Sequence, residues 1–352
     1  MNCFLVSFMM RVSQILPYYL PIFLTGFFII LSYSGWIYLG PFILPFLGLF
    51  NKAVGKFSVS QLAKEYIAFH HSIAFSILKI MSGIFFILFN LWIVYFLSNY
   101  ELTLIQYVFF IYTVIILNSN FSVSLAHELI HHHHTVARIL GTSLMLINGF
   151  FYLENDHVYT HHRFVGTAQD PASARQGESL YIYLYRSIPA RIAIFFGLKA
   201  NFPQAQKRTI VRGNMVRLLV CILLAVMALV FNWKVGAWLL IQFVLVPLIY
   251  EIVTYIQHYG LNRSQITSGK FEPVEFSHSW NCYYRLSNYL LFLMPIHSIH
   301  HLKIEPDVTK ITDFGPSFPF PFSQMAFLAM IPSRWSRVMD PLVAEVKKTG
   351  ST

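Results

Sequence analysis

Residues 103–134 read TLIQYVFFIYTVIILNSNFSVSLAHELIHHHH. The stretch from Thr103 to Leu125 carries no charge. It is long enough to cross a bilayer, whose hydrocarbon core takes about 20 helical residues. It runs directly into His127-Glu-Leu-Ile-His131. Residues four apart share one helical face, so both imidazoles can reach a single ion. A metal-ligand pair at the end of a membrane helix sets the question for the rest of the chain.

Three further histidine groups lie beside or just after apolar stretches: His157, His161 and His162; His258; and His297, His300 and His301. The second group stands in Glu154-Asn-Asp-His157-Val-Tyr-Thr-His161-His162, where positions i and i+4 again align. His258 follows Tyr255-Ile-Gln, and alone would read as a hydrogen-bonding residue at a span end. Spacings of three and four bring His297, His300 and His301 together on a helix. Imidazole is neutral near pH 7 and suits iron, zinc, copper and nickel. Nine imidazoles exceed the needs of one ion and suit two. His132, His133 and His134 cannot all face the way His127 and His131 do, and read as surface residues or as groups behind the ligands. His70 and His71 read as a helix-end pair. Metal-bound imidazoles commonly donate their other N–H to a carboxylate or carbonyl. Glu128, Glu154, Asp156, Asp170 and Glu251, with His278, are the candidates for that orienting role.

Composition agrees with a membrane setting. Of 352 residues, 56% are hydrophobic and 11% charged, and mean hydropathy is +0.57. Soluble domains carry about 25% charged residues. A net charge of +10 raises the question of nucleic acid, but the positive-inside rule accounts for it, and no nucleic-acid partner is expected. Cys3, Cys221 and Cys282 form no metal or disulfide pattern.

Hydropathy predicts six spans, at about 16–35, 37–51, 72–97, 103–125, 215–233 and 235–256. The run after Arg11 lacks a small-residue cleavage site and reads as the first span rather than a signal peptide. Lys52, Lys56 and Lys64 lie between spans two and three, and nine basic residues from Arg138 to Arg212 lie between spans four and five. Both termini and all four histidine groups then fall on the cytosolic side. Ile139–Leu153 is apolar but short and reads as a re-entrant or interfacial helix. Ser323–Trp335 reads as one amphipathic surface helix, and the tail from Lys347 as mobile. The expected fold is an all-α integral membrane protein, a single domain over residues 1–352 in contact with lipid, with a cytosolic histidine-ligated dimetal site.

Few cysteines and many imidazoles argue against closed structural zinc. Two ions sharing nine nitrogens have four or five each, which leaves room for a small molecule. A redox metal facing an apolar bundle suggests oxygen activation on a hydrophobic substrate, although spacing alone does not separate iron from other metals.

Longer stretches resemble a known family. They are His161-His-Arg-Phe-Val-Gly-Thr-Ala-Gln-Asp-Pro-Ala-Ser-Ala-Arg-Gln-Gly-Glu-Ser-Leu-Tyr181; His258-Tyr-Gly-Leu-Asn-Arg263, with His278-Ser-Trp-Asn281 and Arg285-Leu-Ser-Asn288; and Ile331-Pro-Ser-Arg-Trp-Ser-Arg-Val-Met-Asp-Pro341. From about Thr103 to Pro341 the chain resembles the membrane-bound non-haem diiron superfamily of alkane hydroxylases, xylene monooxygenases and fatty acyl desaturases, and the alkane 1-monooxygenase branch in particular. The resemblance implies two iron ions held by the nine histidines, O2 as oxidant, and hydroxylation of an inert C–H bond in a hydrophobic small molecule. The foremost substrate is an n-alkane, oxidised to the 1-alkanol. It implies electrons from rubredoxin, supplied by a pyridine-nucleotide-dependent reductase, or from a ferredoxin-type carrier. It implies a multi-pass protein of the bacterial inner membrane. Gln257 stands where the alkane branch usually has an acid, His132 where it has Lys, and Ile296 and Ile299 where it has Arg and Asp. These departures leave the ligands in place and bear on substrate and donor.

Within this class the alternatives are alkyl-aromatic hydroxylation and fatty acyl desaturation. An intramembrane zinc protease would use His127, Glu128 and His131 and leave six histidines idle. A metal transporter would need ionisable groups deep in its spans. Phe42, Phe46 and Phe50 read as lipid contacts that could instead limit substrate length.

Overall fold

The computed structural model describes residues 14–198, 205–267, 270–302 and 311–349. In chain order the helices are α1 (Leu20–Tyr33), α2 (Ile43–Val54), α3 (Val59–His71), α4 (Ile73–Asn99), α5 (Leu104–Leu117), α6 (Val123–Ile130) and α7 (Thr135–Ile147). Then come α8 (Leu153–Asp156), α9 (His162–Phe164), α10 (Leu180–Phe195), α11 (Lys207–Phe231) and α12 (Trp233–His258). The last are α13 (Arg285–Leu290), α14 (His297–His300), α15 (Phe322–Ala329) and α16 (Pro332–Thr349). The one addition to an all-helical expectation, among the described residues, is an exposed antiparallel hairpin of β1 (Gln265–Thr267) and β2 (Lys270–Phe271).

Among the described residues, six segments are long and apolar enough to cross a membrane: Leu16–Tyr33, Ile37–Val54, Ile73–Asn99, Leu104–Ile130, Lys207–Phe231 and Trp233–His258. The chain is a multi-pass integral membrane protein. The fifth crossing segment, α11, starts at Lys207, earlier than hydropathy suggests, because Lys and Arg are good helix formers that lower hydropathy without ending a helix. The breaks are written as caps. Ser58 with Gln61 and Thr103 with Gln106 form capping boxes at the starts of α3 and α5, and Ser72 caps α4. Cys221 and Cys282 are buried and form no disulfide with one another; Cys3 lies outside the described residues.

The first compact unit takes the chain to Phe150, with Val220–Pro247 and Tyr284–Met294. α7 packs against α6 and α4. It ends at Ile147, capped by Asn148, and not at Leu153, because Gly149 has φ +84° and a Cβ there would lie 2.7 Å from the Phe243 backbone. Within this unit Asn118 donates to Asn90 Oδ1 at 3.0 Å and to Gln242 Oε1 at 2.9 Å. Gln242 also accepts from Trp238 and donates to the Ile147 carbonyl. Polar side chains at membrane depth are costly unless paired, and this set binds α4, the turn after α5, α7 and α12 by pairing internally. Asn118 opens a π-helical turn, Asn118–Ser122, between α5 and α6.

The second unit comprises Phe151–Leu219, Leu248–Tyr283 and the chain from Pro295 onward. The expected single helix over Ser323–Trp335 is two helices. α15 closes at Ala329 and α16 begins at Pro332, since proline has no N–H to continue one helix and suits the first turn of the next. α16 runs to Thr349, so the expected mobile tail from Lys347 is helical through its first residues. Trp335, Met339 and Val343 of α16 are buried. Trp335 packs on Tyr255 and Tyr259, and the Tyr259 hydroxyl donates to Asp340 at 2.6 Å.

Candidate metal centre

Four imidazoles converge inside the second unit. His161, His258, His297 and His301 are all buried, and their ligating nitrogens all lie within 4.8 Å of one another. His297 Nε2 stands 3.0 Å from His258 Nε2 and 2.8 Å from His301 Nε2. Two nitrogens each about 2.1 Å from one ion, at right angles, lie about 3 Å apart. The spacing therefore fits a shared metal. His301 is held neutral by burial and by the neighbouring imidazoles, which push its pKa well below the ordinary value. Its Nδ1 is buried without a hydrogen-bond partner among the described residues. A neutral ring is the form that binds metal.

The local chain explains the convergence. His258 ends α12, and α14 is a single turn that presents His297 and His301. Its N-terminal side is held by Asn281. The Asn281 Oδ1 accepts from the Ser298 N–H at 3.0 Å, and its Nδ2 donates to the Phe314 carbonyl at 2.7 Å. The Ser298 hydroxyl donates to the same Phe314 carbonyl. Two residues before Pro295, the backbone is unusual: Phe292 and Leu293 have φ of +50° and +61°. Bulky side chains adopt that region only when their surroundings hold them there.

His157–His161 forms a π-helical turn between α8 and α9. A π turn inserts one residue into the helical repeat. The turn brings His162, five residues on, against His157, while the His157 and His161 rings stay 5.3 Å apart and reach different partners. His161 joins His258, His297 and His301. His157 Nε2 lies instead 3.1 Å from His300 Nε2 and 2.9 Å from His162 Nε2. His127 and His131 stand in the first unit with ring centroids 5.4 Å apart. His127 is buried and His131 exposed.

Among the acids, Asp170 Oδ2 lies 2.9 Å from His161 Nδ1. With Nδ1–H donating there, the Nε2 lone pair of His161 is left for a metal. Asp170 also accepts from Ala172 N and Ser173 Oγ. Burial disfavours its charge, but His161, Arg191 and Ser173 outweigh that and hold the carboxyl below the usual range. Asp156 and Glu251 have a different partner from the one the sequence suggested. Arg191 Nη1 lies 2.6 Å from Asp156 Oδ2, and Arg191 Nε lies 3.0 Å from Glu251 Oε1. The Tyr183 and Ser187 hydroxyls donate to Glu251 Oε2. Burial works against the guanidinium charge, yet Glu251 and Asp156 hold its pKa well above the ordinary value.

Glu128 lies 3.9 Å from His70 Nδ1. His278 pairs with Glu272 at 3.2 Å and accepts from the Glu275 N–H. The Glu154 side chain lies outside the described residues. His133 and His134 are exposed and His132 half-buried. Arg191 and Asn281 are the polar residues that spacing did not single out. Their signal is a charge or amide in a buried, otherwise apolar context, which a sequence does not display.

The sequence profile of the fatty acid desaturase family matches residues 102–304, more than half of the chain. The chain belongs to the fatty acid desaturase family. All nine candidate ligand histidines of this desaturase-family chain fall inside the matched region. Alkane 1-monooxygenase 2 of Alcanivorax borkumensis is 31% identical over 228 residues, which cover 63% of this chain and 60% of the relative. Alkane 1-monooxygenase 1 of Pseudomonas aeruginosa is 34% identical over 227 residues, covering 62% and 59%. The hydroxylase component of the xylene/toluene monooxygenase of Pseudomonas putida is 23% identical over 218 residues, covering 60% and 57%. The chain thus spans about 60% of the length of the curated relatives it matches.

Proposed function

We propose that this desaturase-family protein is a membrane-bound diiron monooxygenase that converts an n-alkane to a 1-alkanol. The observation that carries the reading is the set of four buried imidazoles, His161, His258, His297 and His301, with ligating nitrogens at metal-sharing distances. The relatives named alkane 1-monooxygenase support the choice of reaction.

In this proposal the nine histidines His127, His131, His157, His161, His162, His258, His297, His300 and His301 hold two irons. Bound there, the irons would supply the oxidising power to break an inert C–H bond with O2. One oxygen atom enters the substrate, and the other leaves as water with two electrons and two protons from a rubredoxin or ferredoxin-type carrier. The protein's own residues set the geometry. Asp170 fixes the His161 ring, Asn281 holds the turn of α14, and Arg191 ties α8 to α10 and α12. The burial of His161, His258, His297 and His301 keeps water from competing. The basic residues between the fourth and fifth spans support a cytosolic position for this face, in a bacterial inner membrane.

Gln257, Ile296 and Ile299, together with the xylene/toluene monooxygenase relative, keep an alkyl-aromatic substrate as the second reading. The test is product analysis on octane, p-xylene and a fatty acyl substrate in cells that also express rubredoxin and its reductase, with metal counted on the purified protein. The proposal expects about two irons per chain and 1-octanol. Stoichiometric zinc from iron-replete cells would overturn it, and a benzylic alcohol alone would select the second reading.

A further inference from the structure

α10 is built inside out for a helix in water. Its inward positions are Tyr183, Ser187 and Arg191, all buried, and each bonds Glu251 or Asp156. Its outward stripe is Tyr181, Tyr185, Pro189, Ile192 and, just past the helix, Phe196, all exposed. The intervals of four, four, three and four keep these side chains on one face. Tyr185 is 85% exposed and Ile192 53%. No charged side chain interrupts the stripe. The polarity is that of a helix whose outer solvent is hydrocarbon.

Yet α10 is not one of the six crossing segments. Sixteen residues rise about 24 Å, short of the roughly 30 Å hydrocarbon core. The surroundings continue the apolar surface. The Tyr181 hydroxyl donates to the carbonyl of Met330, and Met330 and Phe327 are themselves exposed. At the other end, Phe196 borders an open cavity whose wall carries Lys207, Arg208 and Arg212. Those three cations open α11, a helix that crosses the bilayer. Among the described residues no ion pair engages them. Their place, at the mouth of a span and beside the end of the stripe, is the level of anionic headgroups.

We propose that α10 is a seventh bilayer-embedded helix. It lies in one leaflet without crossing it, its outer stripe in the acyl chains and the Lys207–Arg208–Arg212 cluster on anionic lipid phosphates. The inner face of the same helix carries the residues that brace Asp156 and Glu251, so lipid contact and the bracing of the metal centre share one element.

Spin-label depth measurement on the full chain tests this without any turnover. Tyr185→Cys and Ile192→Cys are labelled separately with a nitroxide in phosphatidylethanolamine–phosphatidylglycerol vesicles, with Cys3 replaced by Ser. Gln265→Cys on the exposed hairpin is the aqueous control. Collision with oxygen should dominate over a water-soluble nickel chelate at positions 185 and 192, at a depth of about 5–10 Å below the phosphates, with the reverse at 265. Dominance of the nickel chelate at 185 and 192 would overturn the proposal by placing the stripe in water. Shielding from both agents would overturn it equally, because a second copy or another protein would then cover the stripe. The two labelled positions are independent, so failure of one variant to fold leaves the other to decide.

Discussion

Arg191 Nη1 stands 2.6 Å from the carboxylate of Asp156, the residue immediately before His157. The same guanidinium reaches Glu251, seven residues before His258 on α12. One cation thus braces two chain segments that each carry candidate ligands. Removing one partner of a buried ion pair leaves the others uncompensated and costs about 3–5 kcal/mol. Arg191→Met should lower thermal stability by about that amount and deplete bound metal. Arg191→Lys should recover part of the stability, since an ammonium can meet one carboxylate but lacks the fork that meets two. Melting curves and metal analysis on the purified variants check both.

Asp170→Asn keeps the size of the side chain and removes its charge. The His161 ring then loses its charged acceptor. Loss of such a partner commonly weakens metal binding about 10–100-fold. Retention of iron during timed exposure to a chelator should fall accordingly, while the melting temperature of the metal-free protein changes little.

Asn281→Leu should release α14. It leaves the Ser298 N–H without its acceptor, and the Phe314 carbonyl with the Ser298 hydroxyl but not the Asn281 amide. A buried group left unpaired costs about 1–3 kcal/mol. His297 and His301 ride on that turn, so metal content should fall with stability. A variant that loses stability but binds iron with unchanged stoichiometry would refute the scaffold role.

Asn118→Leu tests the polar cluster in the first unit. Hydrogen bonds between membrane helices are worth roughly 1–2 kcal/mol, and Asn118 makes two directed at different helices. The expected loss is about that size, read as unfolding in detergent. Gln242→Leu should act on the same cluster, and the double variant should cost less than the sum of the singles.

Glu178 couples stability to pH. Burial pushes its carboxyl up, but hydrogen bonds from Arg186 and the Arg175 N–H outweigh this and hold it below the ordinary value. A depressed carboxylate stabilises the fold above its unfolded pKa, about 4.3. That contribution is lost as pH falls through the lower, folded value. Unfolding measured from pH 6 to pH 3 should therefore steepen at the acid end, and Glu178→Gln should flatten that limb.

The six crossing segments were readable because a bilayer leaves backbone polar groups no partner but the helix itself. Only long apolar runs meet that condition, so hydropathy reports them directly. Helix starts were less legible where charge meets apolar sequence, as at Lys207. The stretch Leu180–Phe195 was missed as a membrane element because Arg186 and Arg191 lower its hydropathy, although Arg191 turns inward and Arg186 pairs with Glu178. Exposure, not composition, distinguishes an inverted amphipathic helix from an ordinary one. At Ser323–Trp335 a continuous amphipathic pattern hid a helix break, because the pattern reports faces and not hydrogen bonds.

Residue type and spacing were sufficient to place this chain among histidine-rich membrane proteins. The ligand candidates, the span count and the uncharged interiors are local properties, and local periodicity carries them. Which imidazoles share a metal is not local. The π turn at His157–His161 sets His162 against His157, which also meets His300, while His161 joins His258, His297 and His301 from segments about 100 residues away or more. The partners of Asp156 and Glu251 are not local either: Arg191 lies 35 residues from Asp156 in the chain, and only burial brings their charges together. Strong, short-range forces acting between distant segments leave no period in the sequence, and those contacts became visible only when the chain was folded.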